Sequence, residues 1–124
     1  MDTTQRHLIE SFARDTLGCG CPAEVFDRIE LDRFLGAFDS LPVTGTIAIG
    51  GRLLVLLCTQ RVDVASVLRI LDRGRQIRDR EGLNRVRCVV ARSAWVGEGE
   101  PQSIDTGDER LHVHLVDDAR LPSF

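Results

Sequence analysis

Three observations predict an α+β fold. Two apolar, β-branched stretches flank Gly50-Gly51, which is the pattern of a hairpin. An amphipathic segment runs from Asp63 to Gly82, with a capping residue at one end and a stop residue at the other. A third apolar stretch, Arg85–Ala91, follows it, so the helix suits a right-handed crossover between two parallel strands. The expected order is α-α-β-β-α-β-β. It builds a four-stranded mixed sheet with helices packed on at least one face. A permuted ferredoxin-like topology has the same element order and is its rival.

Along the chain, Thr4–Leu17 places Leu8, Ile9, Phe12, Ala13 and Leu17 on one helical face. Thr3 or Thr4 can cap it, and Gly18 is a natural stop. A second helix is expected at once, with Cys21 as cap, Pro22 at the first helical position and Glu24 three residues past the cap. Its apolar stripe is Val25, Phe26 and Ile29, and Leu31–Phe38 reads as a further helical turn weakened by Gly36. Val43–Ile49 alternates as a strand, and Arg52–Thr59 is apolar on both faces, which implies a central position. The helix from Asp63 to Glu81 gathers Val64, Val67, Leu68, Ile70, Leu71 and Ile77 on one face. After Arg85–Ala91 comes a Gly-, Glu- and Asp-rich loop, Gly97–Glu109. Leu111–Val116 is the fourth strand, and the tail from Asp117 reads as irregular.

A length of 124 residues fits one domain, 1–124, able to bury roughly two-thirds of its unfolded surface. Hydrophobic (43%) and charged (28%) contents are those of a globular protein in water. The longest apolar run, Leu53–Cys58, is too short for a bilayer, so no membrane partner is expected. The first residues lack a basic region followed by an apolar stretch, which predicts a cytoplasmic protein. A net charge of −3 argues against general nucleic-acid binding. All 16 basic residues are Arg and there is no Tyr, which excludes lysine and tyrosine chemistry and fits codon bias in a GC-rich bacterial genome.

The feature that points to chemistry is Thr16-Leu17-Gly18-Cys19-Gly20-Cys21-Pro22. Glycines and a proline cannot fill a core, so the run presents paired sulfurs on a tight turn. A thiolate is favoured at a helix N-terminus, the position expected for Cys21. A disulfide closed over one intervening residue is a strained ring, which favours exchange or sensing over a structural bond. The same pair can instead hold a soft metal or an iron–sulfur cluster, with Cys58, Cys88, His112 and His114 as further candidate ligands. No second C-x-x-C or H-x₃₋₅-H completes a closed zinc site. The bland alternative is a corner that uses cysteines as small apolar fillers.

Cys58 and Cys88 fall in apolar strands and read as core; parallel neighbouring strands would bring their sulfurs close. His112 and His114 share one face of the last strand. From Arg61 to Arg92 nine Arg face four acids, a local +5, and from Ser93 onward two Arg face seven acids, a local −5. Mutual pairing and a solvated helix face explain this better than an anion or RNA site. Trp95 is a candidate interface anchor. No dinucleotide, phosphate-loop, zincin or serine-hydrolase motif is present.

Phe12–Phe26 resembles a group of small uncharacterised bacterial proteins with an L-G-C-G-C-P turn, and Gly50–Val55 is similar to their hairpin. The resemblance implies a shared single-domain architecture and brings no activity with it. Thioredoxin-like proteins differ in placing C-x-x-C after a strand. The small ferredoxin that partners bacterioferritin has a C-x-C but adds a later C-x-x-C that this chain lacks. The functional expectation is therefore a thiol-redox or metal-binding accessory protein using Cys19 and Cys21. The alternative is a non-catalytic interaction or dimerisation module. Either implies a protein partner or a homo-oligomer such as a homodimer.

Overall fold

The computed structural model describes residues 2–122. The coarse α+β class holds, with five strands rather than four. They are β1 (Ile29–Leu31), β2 (Gly45–Ile49), β3 (Leu53–Cys58), β4 (Arg85–Ala91) and β5 (Leu111–Val116). Their order in the sheet is the order in the chain. β1, β2 and β3 are antiparallel neighbours, whereas β3–β4 and β4–β5 are parallel. The helix α2 (Val64–Glu81) links β3 to β4.

α2 begins and ends as its residues dictate. The Asp63 carboxylate accepts a hydrogen bond from the Ser66 N–H (2.8 Å), and Gly82 closes the helix in the left-handed conformation (φ 71°). Val67, Ile70, Leu71, Gly74 and Ile77 are buried. Val64 and Leu68, expected on that face, are exposed because they lie at its margin. Gly74 brings α2 close to the sheet: a Cβ there would lie 3.1 Å from Leu56 and Val86.

The first helix, α1 (Thr3–Ser11), is capped by Asp2, whose side chain accepts from the Gln5 N–H at 2.7 Å; neither threonine is the cap. The segment then loosens into a π-helical turn, Phe12–Thr16. Gly18 (φ 70°) stops it, and the Cys19 N–H returns to the Ala13 carbonyl (2.9 Å).

The second helix does not form as expected. Ala23–Asp27 is a five-residue 3₁₀ turn, and Pro22, not Cys21, stands at its cap. Ile29 leaves the expected helical stripe to enter β1. The edge of β2 supplies the reason, because its backbone groups need partners. Ile29 pairs with Ile49 and Leu31 with Ile47, and the Gly50 N–H donates to Arg28 O (2.7 Å). Leu31–Phe38 yields only the 3₁₀ turn Leu35–Phe38. The tail forms a short turn, Asp118–Arg120, and its last two residues lie outside those described.

Every residue of β3 is buried, so both faces of the sheet need a cover. On one face α2, Phe34 and Phe38 pack against Leu54, Leu56, Cys58, Val86, Cys88 and Val90. On the other, Ile9, Phe12, Ala13, Leu17, Val25 and Phe26 cover Ile47, Ile49, Leu53, Val55, Leu57 and Val89. The N-terminal segment that carries the cysteines is thus the second layer of the fold.

Gly50 marks where that layer meets the hairpin. Its φ is 61°, and a Cβ would run into Val25 Cγ1 and lie 2.7 Å from Val25 O. Gly51 also has a positive φ (66°), but its nearest neighbour is 4.0 Å away. Gly50→Ala is expected to cost about 2–4 kcal/mol and Gly51→Ala about 1–2 kcal/mol, from backbone strain with and without a clash. Urea unfolding of the two variants checks this; equal losses would show that Val25 yields.

Candidate functional site

The cysteine turn lies on the N-terminal layer, between the π-helical turn and the 3₁₀ turn. Cys19 and Cys21 are joined by a disulfide, with Cα atoms 5.5 Å apart. Both are partly exposed, and their inner sides pack against the core under that layer. Gly18 and Gly20 have nothing within 4 Å of a would-be Cβ, so the approach to the sulfurs is open.

The electrostatic setting differs from the one the sequence implied. Cys21 is not at the N-terminus of an α-helix, and a five-residue 3₁₀ turn has no comparable dipole. Arginines take that place. Cys19 and Cys21 line a cavity of about 300 Å³ together with Asn84, Arg52, Arg85 and Arg87. Ile49 pairs with Leu53, which puts Arg52 in the hairpin turn, and its carbonyl accepts from the N–H groups of Asn84 (2.8 Å) and Arg85 (3.0 Å). Arg85 and Arg87, two apart on β4, project from the same face.

Arg87 is 8% exposed. Its Nη1 donates to the carbonyls of Val86 (3.1 Å) and Arg110 (3.4 Å). Among the described residues, neither it nor Arg52 or Arg85 has a carboxylate within 4 Å. Burial, reinforced by Arg85, pushes the Arg87 guanidinium below its ordinary pKa.

The other candidate residues stand elsewhere. Cys58 and Cys88 are both fully buried in the core under α2, on the opposite face of the sheet, with their sulfurs 3.9 Å apart. The hydrogen bond with Cys58, then burial, holds the Cys88 thiol well above its usual pKa. His112 is exposed and its Nε2 lies 2.6 Å from Glu109 O. His114 is half-buried beside Thr16, Arg92, Asp117 and Arg120, and its Nε2 has no hydrogen-bond partner among the described residues. Among the described residues, no three His, Cys, Asp or Glu side chains converge as metal ligands.

The basic middle of the chain is partly neutralised by ion pairs. Arg78 reaches Asp108 (2.8 Å) and Asp79 (3.1 Å), Arg75 pairs with Asp72, and Arg92 meets Asp117 at 2.6 Å. Two of these bridge the basic middle to the acidic C-terminal part, as the charge count implied. Trp95 is partly buried, and its indole N–H donates to Gly99 O (3.1 Å), so it ties down the acidic loop. Sequence reasoning missed the arginines beside the cysteines because it counts Arg85 and Arg87 with the helix and reads Arg52 only as the start of a strand. Their signal was the alternation Arg85-x-Arg87 in an otherwise apolar strand, together with an Arg directly after Gly50-Gly51.

No helix among the described residues is long and apolar enough to cross a membrane. No protein-family model, curated protein or solved structure matches this chain.

His114 has a lowered pKa, caused first by burial, then by Arg87 and His112. Below the ordinary histidine pKa of about 6.5 the unfolded chain takes up a proton that the folded one resists. This contribution therefore leaves stability untouched above about pH 6.5 and destabilises as pH falls toward the folded pKa. Denaturant unfolding from pH 7.5 to 5 should show a steeper acid loss in the wild type than in His114→Gln. Parallel profiles would remove His114 as the cause.

Proposed function

We propose that the protein is a cytoplasmic thiol–disulfide exchange accessory protein whose working pair is Cys19 and Cys21. The observation that carries this reading is the placement of the bonded sulfurs on an open turn at the rim of an arginine-lined cavity. Guanidinium charge favours a thiolate over a thiol, so the reduced pair would be poised for attack at neutral pH. Arginine here supplies what a helix N-terminus supplies in other redox sites.

The cycle balances with a dithiol partner. One partner thiolate attacks a sulfur of the Cys19–Cys21 bond. That bond breaks, its electron pair stays on the other cysteine as a thiolate, and a mixed disulfide forms. The second partner thiolate then attacks the first partner's sulfur in the mixed disulfide, the protein cysteine leaves as a thiolate, and the partner departs as a disulfide. Two electrons and two protons pass to Cys19 and Cys21.

Metal binding by the same turn is the competing use. It would draw two thiolates from this chain, and no third ligand of the described residues stands with them. The sulfur–sulfur bond favours the redox use. Cys58 and Cys88 take no part, because both are shut in the core.

After mild reduction, native protein should show two fast-reacting thiols with Ellman's reagent, and two more only in denaturant. The Cys19→Ser/Cys21→Ser variant should lose the fast pair entirely. The reading is abandoned if the two native thiols react no faster than free cysteine at pH 7.

A further inference from the structure

Arg87 poses a physical problem that the exchange reading leaves open. A buried guanidinium normally faces a carboxylate, because desolvating an unpaired charge is costly. Here its protein partners are two neutral carbonyls, and the nearest charged groups in the cavity are Arg52 and Arg85, of the same sign. Elsewhere the less exposed arginine Arg78 is paired, with Asp108 and Asp79. With a net charge of −3, the molecule does not lack acids to place there. Three like charges lining one concavity, with no carboxylate paired to them among the described residues, are the arrangement of an anion-binding site.

Resting on the exchange reading, we propose that this cavity binds the carboxylates of a small acidic thiol compound, whose sulfur is thereby held against Cys19–Cys21. Arg52, Arg85 and Arg87 present planar forks suited to carboxylates. A volume of about 300 Å³ is at the lower end of small-ligand pockets and suits a short thiol peptide. The sulfurs at the rim set where the ligand's own sulfur must lie.

Exchange with such a monothiol, RSH, proceeds in two steps. The thiolate RS⁻ attacks one cysteine sulfur, the Cys19–Cys21 bond breaks, and the other cysteine leaves as a thiolate that takes a proton from water. A second RS⁻ attacks the ligand sulfur of the mixed disulfide. R–S–S–R departs, and the remaining cysteine is freed and protonated. Two RSH are oxidised and one protein disulfide is reduced. The reverse reaction oxidises the reduced protein with R–S–S–R.

The reverse direction gives the test. Reduced protein is mixed with glutathione disulfide (anionic), bis(2-hydroxyethyl) disulfide (neutral) or cystamine (cationic), each rate being normalised to that of free dithiothreitol. The wild type should prefer the anionic disulfide over the neutral one by about tenfold, with cystamine slowest, and salt should erode the preference. In Arg52→Gln/Arg85→Gln, which alters two exposed positions, the anionic-to-neutral ratio should collapse toward one. Titration calorimetry of the oxidised protein with S-methylglutathione, which cannot exchange, provides a readout free of redox chemistry. Binding there should weaken about tenfold in the same variant.

An unchanged ratio in the variant, together with no binding of S-methylglutathione, overturns the anion site even if all three disulfides react and the exchange reading survives. If no disulfide reacts but S-methylglutathione binds in an arginine-dependent way, the exchange reading falls and the anion site is upheld.

Discussion

β3 is buried along its whole length and on both faces, and that constraint organises the molecule. A strand of this kind cannot sit in a two-layer fold with one face in water. The α2 layer covers one side. The N-terminal segment covers the other. The segment that does so is irregular: a short helix, a π-helical turn, a cysteine loop and a 3₁₀ turn. Its irregularity follows from its task. It must lay Ile9, Phe12, Leu17, Val25 and Phe26 over a twisted sheet and then turn back to add β1 at the edge. The cysteine loop lies between the two halves of that layer, and the N-terminal end of β4 stands beside its sulfurs.

At that end of β4 the sheet changes character. Along β4 the residues under α2 are Val86, Cys88 and Val90, whereas the opposite face begins Arg85, Arg87 before it becomes apolar at Val89. The N-terminal layer covers Val89 and stops short of the two arginines. Arg87 is buried at that limit and Arg85 stays exposed; a larger layer would have buried both, and a smaller one would have exposed Val55 and Leu57. The cavity is therefore a consequence of how much sheet the N-terminal segment can reach.

Much of this architecture was legible in the residues. α2 was readable to its last residue because its signals are local: Asp63 before an apolar period, Gly82 after it. The buried centre of the sheet was readable from β-branched runs without polar interruption. β1 was not, because Ile29–Leu31 is three residues long and its reason for extending is the unpaired edge of β2, which is distant in sequence. The same edge shortened the expected second helix and moved Cys21 off a cap. The cysteine pair was visible in the chain as an unusual spacing, Cys-Gly-Cys-Pro. Its arginine surroundings were not, because Arg52 and Arg87 meet only through the β3–β4 register, which pairs Leu53 with Arg85.

The two cysteine pairs then differ for reasons of place. Cys58 and Cys88 have sulfurs 3.9 Å apart, close enough to interact, yet they sit beneath α2 with no exposure, and the hydrogen bond with Cys58, then burial, holds the Cys88 thiol well above its usual pKa. Cys19 and Cys21 lie on the other side of the sheet, on a glycine-opened turn among positive charges. Burial acts against a thiolate and guanidinium charge acts for it, so the two pairs stand in opposite surroundings on the two faces of one sheet. The sheet that forced the N-terminal segment to become a layer is also the wall that stands between the two pairs.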